Sequence, residues 1–509
     1  MSNDILANDA LTALDGPDIR DAFKRYVYNH PRNSEKNQRL SFGDVKTPAE
    51  TDLLPDDEFE IDEIQPESMH FKDAYEYDVA VIGSGPAGHT SAIRAARLGA
   101  KVVLFENDHL TNAGYVPVKA YLNSDAVGAR DLQGIVSLRN SVAAKMTTDA
   151  ARTLRACKVR VESGEAVLKS PHEILCRGKI YSSSKIILCG GSKNNRSNIT
   201  GAFHPGVLAA DDIFKTSDIP HRLLILGGGR EGCELAATFA AFGSNVVLVE
   251  GEQRLLPDWD RNISEAVWKA LRDTGIKVYT GTTINEIRDV DGNPYVVTER
   301  GGLLCDKVLL ATGRKPEISF LGNMSDEFRF YNNALAVNEY LETSMPGIYA
   351  TSDMTGYSDQ NHISRKIAET AASNAMGKHK PLDLRAAPKV IFTMPEAASV
   401  GLTEDDAREK YGDEATPGYC PLSSNAMSLF SGKSESFVKV LVHRKYGELL
   451  GVHMFGPDAS EMIAEPAALM RMEVTANEII SDIIHVHSTW AEAFAEACAD
   501  ALDESIQFF

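Results

Sequence analysis

The chain has 509 residues, enough for about three or four domains at roughly 100–200 residues each. Apolar residues are 43% and charged residues 24%, as in an ordinary globular protein, but 72 acidic against 52 basic side chains give a net charge of −20. Such a chain repels phosphate backbones and anionic lipid, and it contains no run of about 18 apolar residues, so neither nucleic acid nor a membrane span is expected. The opening residues lack a basic segment followed by an apolar one, so no secretory signal is expected. Seven scattered cysteines, without a CxxC, read as reduced thiols of a cytoplasmic protein and offer no metal site.

Residues 1–74 form an acidic extension. Ile19, Phe23, Tyr26 and Val27 have helical spacing after Pro17, and Glu50 to Glu67 holds nine acids and no Lys or Arg. Two readings stay open: a solvated arm, or a docking segment for a protein partner. At Tyr77 the texture changes to apolar strand, glycine turn and helix (His89 to Leu98), then a second strand, Lys101 to Phe105, closing on Glu106. The same pattern returns at Leu223 to Leu226, with a turn at Gly227 to Gly232, a helix over Cys233 to Phe242, and a strand over Asn245 to Val249 that ends on Glu250. From Ala386 onward shorter strands such as Phe437 to Val442 and helical runs at Ser460 to Met472 and Ala491 to Leu502 indicate a separate α+β domain.

Gly83-x-Gly85-x-x-Gly88 sits between strand and helix. There glycines permit the tight turn, let a pyrophosphate approach the backbone, and pack helix on strand. The helix N-terminus offers unpaired N–H groups to the phosphates, and Glu106 stands where a carboxylate holds ribose hydroxyls. Gly227-x-Gly229-x-x-Gly232 with Glu250 repeats the arrangement. Glu250 repels a 2′-phosphate and so favours NADH over NADPH. Arg254, four residues on, keeps the phosphorylated form open. Glu231, in the helix's first turn, leaves a second reading, a degenerate cradle.

Together with these cradles, three further segments resemble the FAD-dependent pyridine-nucleotide disulfide oxidoreductases, the family of glutathione reductase, lipoamide dehydrogenase and mercuric reductase. Ala311-Thr-Gly-Arg-Lys-Pro316, with Gly313, resembles the family's ATGRxPN. Pro346-Gly-Ile-Tyr-Ala-Thr-Ser-Asp353 resembles PGIYAxGD, with Ser352 in the glycine's place. Val390 to Thr403 resembles the opening of the dimerisation domain. The likeness runs from Tyr77 to the C-terminus. It implies an α/β fold of the glutathione reductase type: two Rossmann-like dinucleotide-binding domains plus a C-terminal α+β dimerisation domain. The expected boundaries are 75–205 and 328–385 for the FAD-binding domain, 206–327 for the NAD-binding domain and 386–509 for dimerisation. It implies a homodimer, bound FAD on Gly83, Gly85, Gly88, Glu106 and Asp353, and NAD(H) as co-substrate.

The resemblance breaks after Glu106. Where the family has GGTCxNxGCxPSK, with its redox disulfide, this chain has Asn107 to Lys119. Tyr115 takes the second cysteine's place, and about four residues including the first cysteine are absent. Lys119 and Glu234 remain, either a pair that the resemblance places near the flavin atom receiving hydride, or two unrelated surface charges. Tyr115 either stacks near the flavin and donates to an acceptor, or fills the space left by the disulfide. Arg230 replaces an aromatic gate and pairs either with a phosphate or with Glu231. His485-Val-His-Ser-Thr-Trp-Ala-Glu492 resembles HxHPTxxE, which makes His487 an acid–base group buttressed by Glu492, or else a core histidine left over from ancestry. The expected function is oxidation of NADH with direct transfer to a small non-disulfide acceptor such as a quinone. The alternatives are a nicotinamide nucleotide transhydrogenase, a dihydrolipoyl dehydrogenase-like protein, and a non-catalytic flavoprotein acting as a binding or assembly subunit.

Overall fold

The computed structural model describes residues 74–107, 132–196, 199–210, 212, 218–358, 360–431 and 435–505. Tyr115, Lys119 and the acidic extension up to residue 73 lie outside them.

The first sheet is built on strand β1 (Tyr77–Ile82), helix α1 (Pro86–Arg97), strand β2 (Val102–Glu106) and the long strand β3 (Lys179–Leu188). β1 lies between β2 and β3, parallel to both, and Val79 faces Val102 on one side and Lys185 on the other. Arg160–Ser163 extends the sheet beyond β2. Two antiparallel strands, Glu173–Cys176 and Ala166–Ser170, extend it beyond β3, and Ile348–Ala350 joins β3 in parallel. Successive residues of β1 point to opposite faces, and both faces are covered, which is why the strand is apolar almost throughout. Val79 and Val81 pack with Ala87, Ala92 and Ala95 of α1, while Ala80 and Ile82 pack with Leu168, Ile174 and Leu321.

The second sheet is wholly parallel. Strands β4 (Arg222–Leu226), β5 (Asn245–Val249) and β6 (Lys307–Leu310) form its centre, with Lys277–Tyr279 and Val207–Ala209 at its edges. Helix α2 (Arg230–Ala241) follows β4. Both helices start three residues earlier than their sequence pattern suggests, because Gly85 and Gly229 are the residues before the first helical turn. Pro86 suits the first helical position of α1, where its missing N–H loses no bond.

Helix α3 (Asn361–Ala375) returns to the first sheet and lies against α1. Ala368, Ala371, Ala372 and Ala375 meet the alanines of α1, and such small residues let two helices run close together. The C-terminal region is a five-stranded antiparallel sheet in the order Lys389–Ile391, Glu396–Gly401, Leu449–Gly456, Phe437–His443, Ala415–Pro421. Helix α4 (Glu492–Ala501) covers it through Phe494, Ala497, Cys498 and Ala501. The expected helical run from Ser460 to Met472 is two helices, Ala459–Met462 and Ala464–Arg471.

A buried charge cluster joins the second sheet's domain to this C-terminal sheet. Lys439 Nζ donates to both oxygens of Asp260 at 2.9 and 3.0 Å and lies 2.7 Å from Glu404 Oε2. Asp260 also caps the helix Arg261–Asp273 and accepts the Glu404 N–H. His453, fully enclosed, bonds Ser399 Oγ and Leu402 O, each at 3.0 Å. Burial pushes its imidazole down to about 4, against the pull of Asp260. The Asp260 carboxyl is held below its usual range by His453 and Lys439, although burial opposes this.

Candidate active site

The two glycine turns match bond for bond. Gly83 N–H donates to Phe105 O at 2.9 Å, and Gly227 N–H donates to Val249 O at 2.8 Å. Each first glycine has a positive φ, +103° and +106°, and a Cβ there would meet a carbonyl oxygen 2.2 Å away, of Cys189 or of Ala311. A Cβ on the third glycine, Gly88 or Gly232, would lie 1.7 or 1.8 Å from the carbonyl of the first. The middle glycines, Gly85 and Gly229, face open space. No side chain caps either helix. The turns therefore leave helix N-terminal N–H groups exposed beside a gap shaped by backbone alone, which suits a pyrophosphate.

The two acids differ. Glu106 accepts from Ser163 Oγ at 2.7 Å through Oε1, while its Oε2 is buried and has no partner among the described residues. Glu250 accepts the Gly228 N–H at 2.5 Å through Oε2 and the Glu252 N–H at 2.8 Å through Oε1. Arg254, expected within reach of a phosphate, donates instead to Trp259 O, Ser264 Oγ and Pro257 O at 2.8, 2.9 and 2.6 Å.

Around the first turn of α2 the charges pair in an order the sequence reading did not anticipate. Arg230 bonds Glu234, at 3.2 Å, one helical turn on, a partner not among those expected for it. Glu234 is buried and also accepts the Phe392 N–H at 3.0 Å. Glu231 lies 4.0 Å from Arg314, which offsets its charge beside the cradle. Arg314 donates to Ser192 Oγ at 2.7 Å, and Ser192 Oγ in turn donates to Asp353. Ser352 adopts a left-handed φ of +56°, the conformation the family's glycine takes freely, and its hydroxyl bonds Asp353 at 3.0 Å.

Gly229, Arg230, Gly313, Arg314, Asp353 and Tyr357 line one cleft, so the second cradle and the Asp353 network open onto a common space. His487 and Glu492 meet as expected. Nδ1 lies 2.8 Å from Glu492 Oε1, and the other carboxylate oxygen accepts the Thr489 N–H at 3.1 Å. The imidazole side chain is 75% exposed, so it is not a core histidine. Among the described residues no group of three or more His, Cys, Asp or Glu is arranged to hold a metal. No helix among them is long and apolar enough to cross a membrane.

Comparison with known proteins decides the family. The profile of the pyridine nucleotide-disulphide oxidoreductases matches residues 77–377, and that family's dimerisation domain matches residues 387–498. The chain belongs to this family. Dihydrolipoyl dehydrogenase from Thermus scotoductus is 34% identical over 84% of this chain and 97% of its own length. A Bacillus subtilis protein of the same name is 30% identical over 82% and 97%. Among solved structures, the HOCl-induced flavoprotein disulfide reductase RclA of Escherichia coli superposes with a TM-score of 0.76 at 25% identity, covering 83% of this chain and 99% of that one. The family is FAD-dependent and uses NAD(H), and its dimerisation domain supports a homodimer. The first cradle fits FAD: the space at Gly85 and Glu106 Oε2, without a partner among the described residues, are what a pyrophosphate and a ribose hydroxyl complete.

Proposed function

We propose that this protein oxidises NADH and passes the electrons to a small non-disulfide acceptor, a quinone being the chemistry that suits it. Bound FAD supplies the ring that accepts and gives hydride. The observation that carries the reading is the cleft, because the described residues lining it include no cysteine. The sequence agrees, since its first cysteine is Cys157, far beyond the segment where the family keeps its disulfide. Without a thiolate there, thiol–disulfide exchange has no nucleophile.

Each residue then has a task. Gly83, Gly85, Gly88, Glu106, Asp353 and Gly313 hold FAD. Gly227, Gly229 and Gly232 present the N-terminus of α2 to the pyrophosphate of NADH. Glu250 takes the ribose hydroxyls with the lone pairs its two backbone bonds leave free. A 2′-phosphate would meet that carboxylate with no relief from Arg254, whose guanidinium is engaged elsewhere, so NADH is preferred. Lys119 and Glu234 orient the hydride-transfer region, and Tyr115 occupies the lost sulfur's place. His487 holds a proton at Nε2 while Glu492 fixes the ring, and its exposure lets it serve the partner protomer's cleft. Free thiols throughout point to the cytoplasm.

A second reading, turnover of dihydrolipoamide, is favoured by the names of the relatives alone. One titration separates the two. Dithionite should deliver two electrons per FAD, and NADH-to-quinone turnover should survive alkylation of every thiol. Uptake of four electrons, or activity lost on alkylation, would sink the proposal. His487→Gln should slow acceptor reduction roughly 10²-fold and leave flavin reduction by NADH unchanged.

A further inference from the structure

The alanine seam between α1 and α3 sets longer side chains along its margin, and there they form a second concave site. Arg94 and Arg97 of α1 and Arg365 and Lys366 of α3 line one groove. Ile93 lies among them, and Glu369 is the one acid among the described residues that line it. No residue of this groove lines the cleft of the candidate active site. In a chain of net charge −20, four cations gathered in one groove run against the composition.

The cations are poorly neutralised. Arg94 Nε donates to the neutral Ser373 Oγ at 2.9 Å. Lys366 pairs with Glu369 at 3.3 Å, and that pair is half exposed, so it contributes little and yields easily. Neither Arg97 nor Arg365 pairs with a carboxylate among the described residues. Two imidazoles at the head of the groove are oriented by carbonyls: His89 Nε2 lies 3.3 Å from Ala150 O and His362 Nε2 lies 2.7 Å from Pro388 O. Three guanidinium forks and an ammonium therefore gather with little to neutralise them among the described residues.

We propose that this groove binds a soluble oligophosphate, an anion carrying two or more linked phosphate groups. Guanidinium forks match phosphate oxygens in pairs, which a lone ammonium cannot do. Both walls are helices and offer no sheet edge, so an extended acidic peptide would find no strand to pair with there. A compact anion needs none. Long nucleic acid meets the repulsion of the whole chain, whereas a small polyanion need only satisfy the groove.

The test uses the full chain saturated with FAD and NAD⁺, so that both cradles are filled, and titrates tripolyphosphate calorimetrically at low ionic strength. Saturable binding that weakens with added salt is expected, and Arg97→Gln combined with Arg365→Gln should weaken it about tenfold or more. In the unmodified protein, tripolyphosphate should also protect Lys366 from acetylation while leaving Lys378 reactive, a readout that needs no variant. Absence of binding, equal binding by the double variant, or equal labelling of Lys366 would overturn the proposal. Vesicles bearing phosphoinositide should leave the protein in the supernatant. Pelleting with them would overturn the assignment to a soluble ligand.

Discussion

The two glycine cradles share their turn geometry and their strand-to-turn hydrogen bonds, yet their acids are in opposite conditions. Glu106 leaves one buried oxygen without a partner among the described residues, whereas both oxygens of Glu250 are bonded to backbone N–H groups. The difference follows from one position. In the second turn Gly228 has no side chain, and a Cβ there would lie 2.9 Å from Glu250 Cβ and 2.4 Å from a Leu255 methyl. Glu250 can therefore close down on the turn. Ser84 stands at the matching place in the first cradle. A site whose acid lacks a partner is completed by its ligand, which suits a cofactor that stays. A site satisfied by its own backbone holds its shape between visits, which suits a co-substrate that leaves.

The largest expected effect tests whether the cradles serve different nucleotides. Gly88→Ala and Gly232→Ala each drive a Cβ onto a backbone carbonyl, at 1.7 and 1.8 Å, where no side chain can give way. A local cost on the order of 3 kcal/mol is expected in both. Gly88→Ala should purify colourless. Gly232→Ala should stay yellow but resist reduction by NADH, and flavin absorbance per chain reads both. Loss of flavin from Gly232→Ala would erase the distinction.

A smaller effect tests the acids. Removing Glu250 frees two backbone donors, so Glu250→Ala should lower the stability of the FAD-free protein by about 1–2 kcal/mol in urea unfolding. Glu106→Ala removes an unsatisfied oxygen along with one hydroxyl bond, and should change the same quantity by less than about 0.5 kcal/mol. With FAD present the order should reverse, and Glu250→Ala should shrink the preference for NADH by roughly ten- to hundredfold. The smallest effect concerns Gly85→Ala and Gly229→Ala. Open space at both predicts a melting temperature within a few degrees of the parent, with nucleotide affinity alone reduced.

Much of this comparison was readable from sequence, because strand, glycine turn, helix and terminal acid are local signals. The strand Asn245–Val249 falls where its pattern puts it, and His487 meets Glu492 across five residues. The Arg230–Glu234 pair was also legible, since residues four apart share a helix face, but the resemblance drew attention to Lys119 instead. The state of Glu250 was not legible, because it depends on how closely a loop returns to a turn. Nor was the fate of Arg254, whose acceptors belong to the bend at Pro257 and Trp259 and to Ser264 of the helix that follows, a return that spacing does not reveal. The basic groove was invisible for a simpler reason: its two walls lie far apart in the chain, and only their packing on one another brings its cations together.

The buried cluster of Lys439, Asp260 and His453 makes the joint between nucleotide domain and C-terminal sheet sensitive to acid. In the unfolded chain His453 takes up a proton near its ordinary value of about 6.5, whereas in the folded protein it stays neutral down to about 4. The stability this neutrality preserves is complete above pH ~6.5 and drains away as the pH falls toward 4, by an amount on the order of 3 kcal/mol. His453→Gln should remove that slope from a plot of unfolding free energy against pH. In an acidifying cell, then, the first weakness of this protein would open along the line where its nucleotide-binding domain is fastened to the domain that pairs it with its twin.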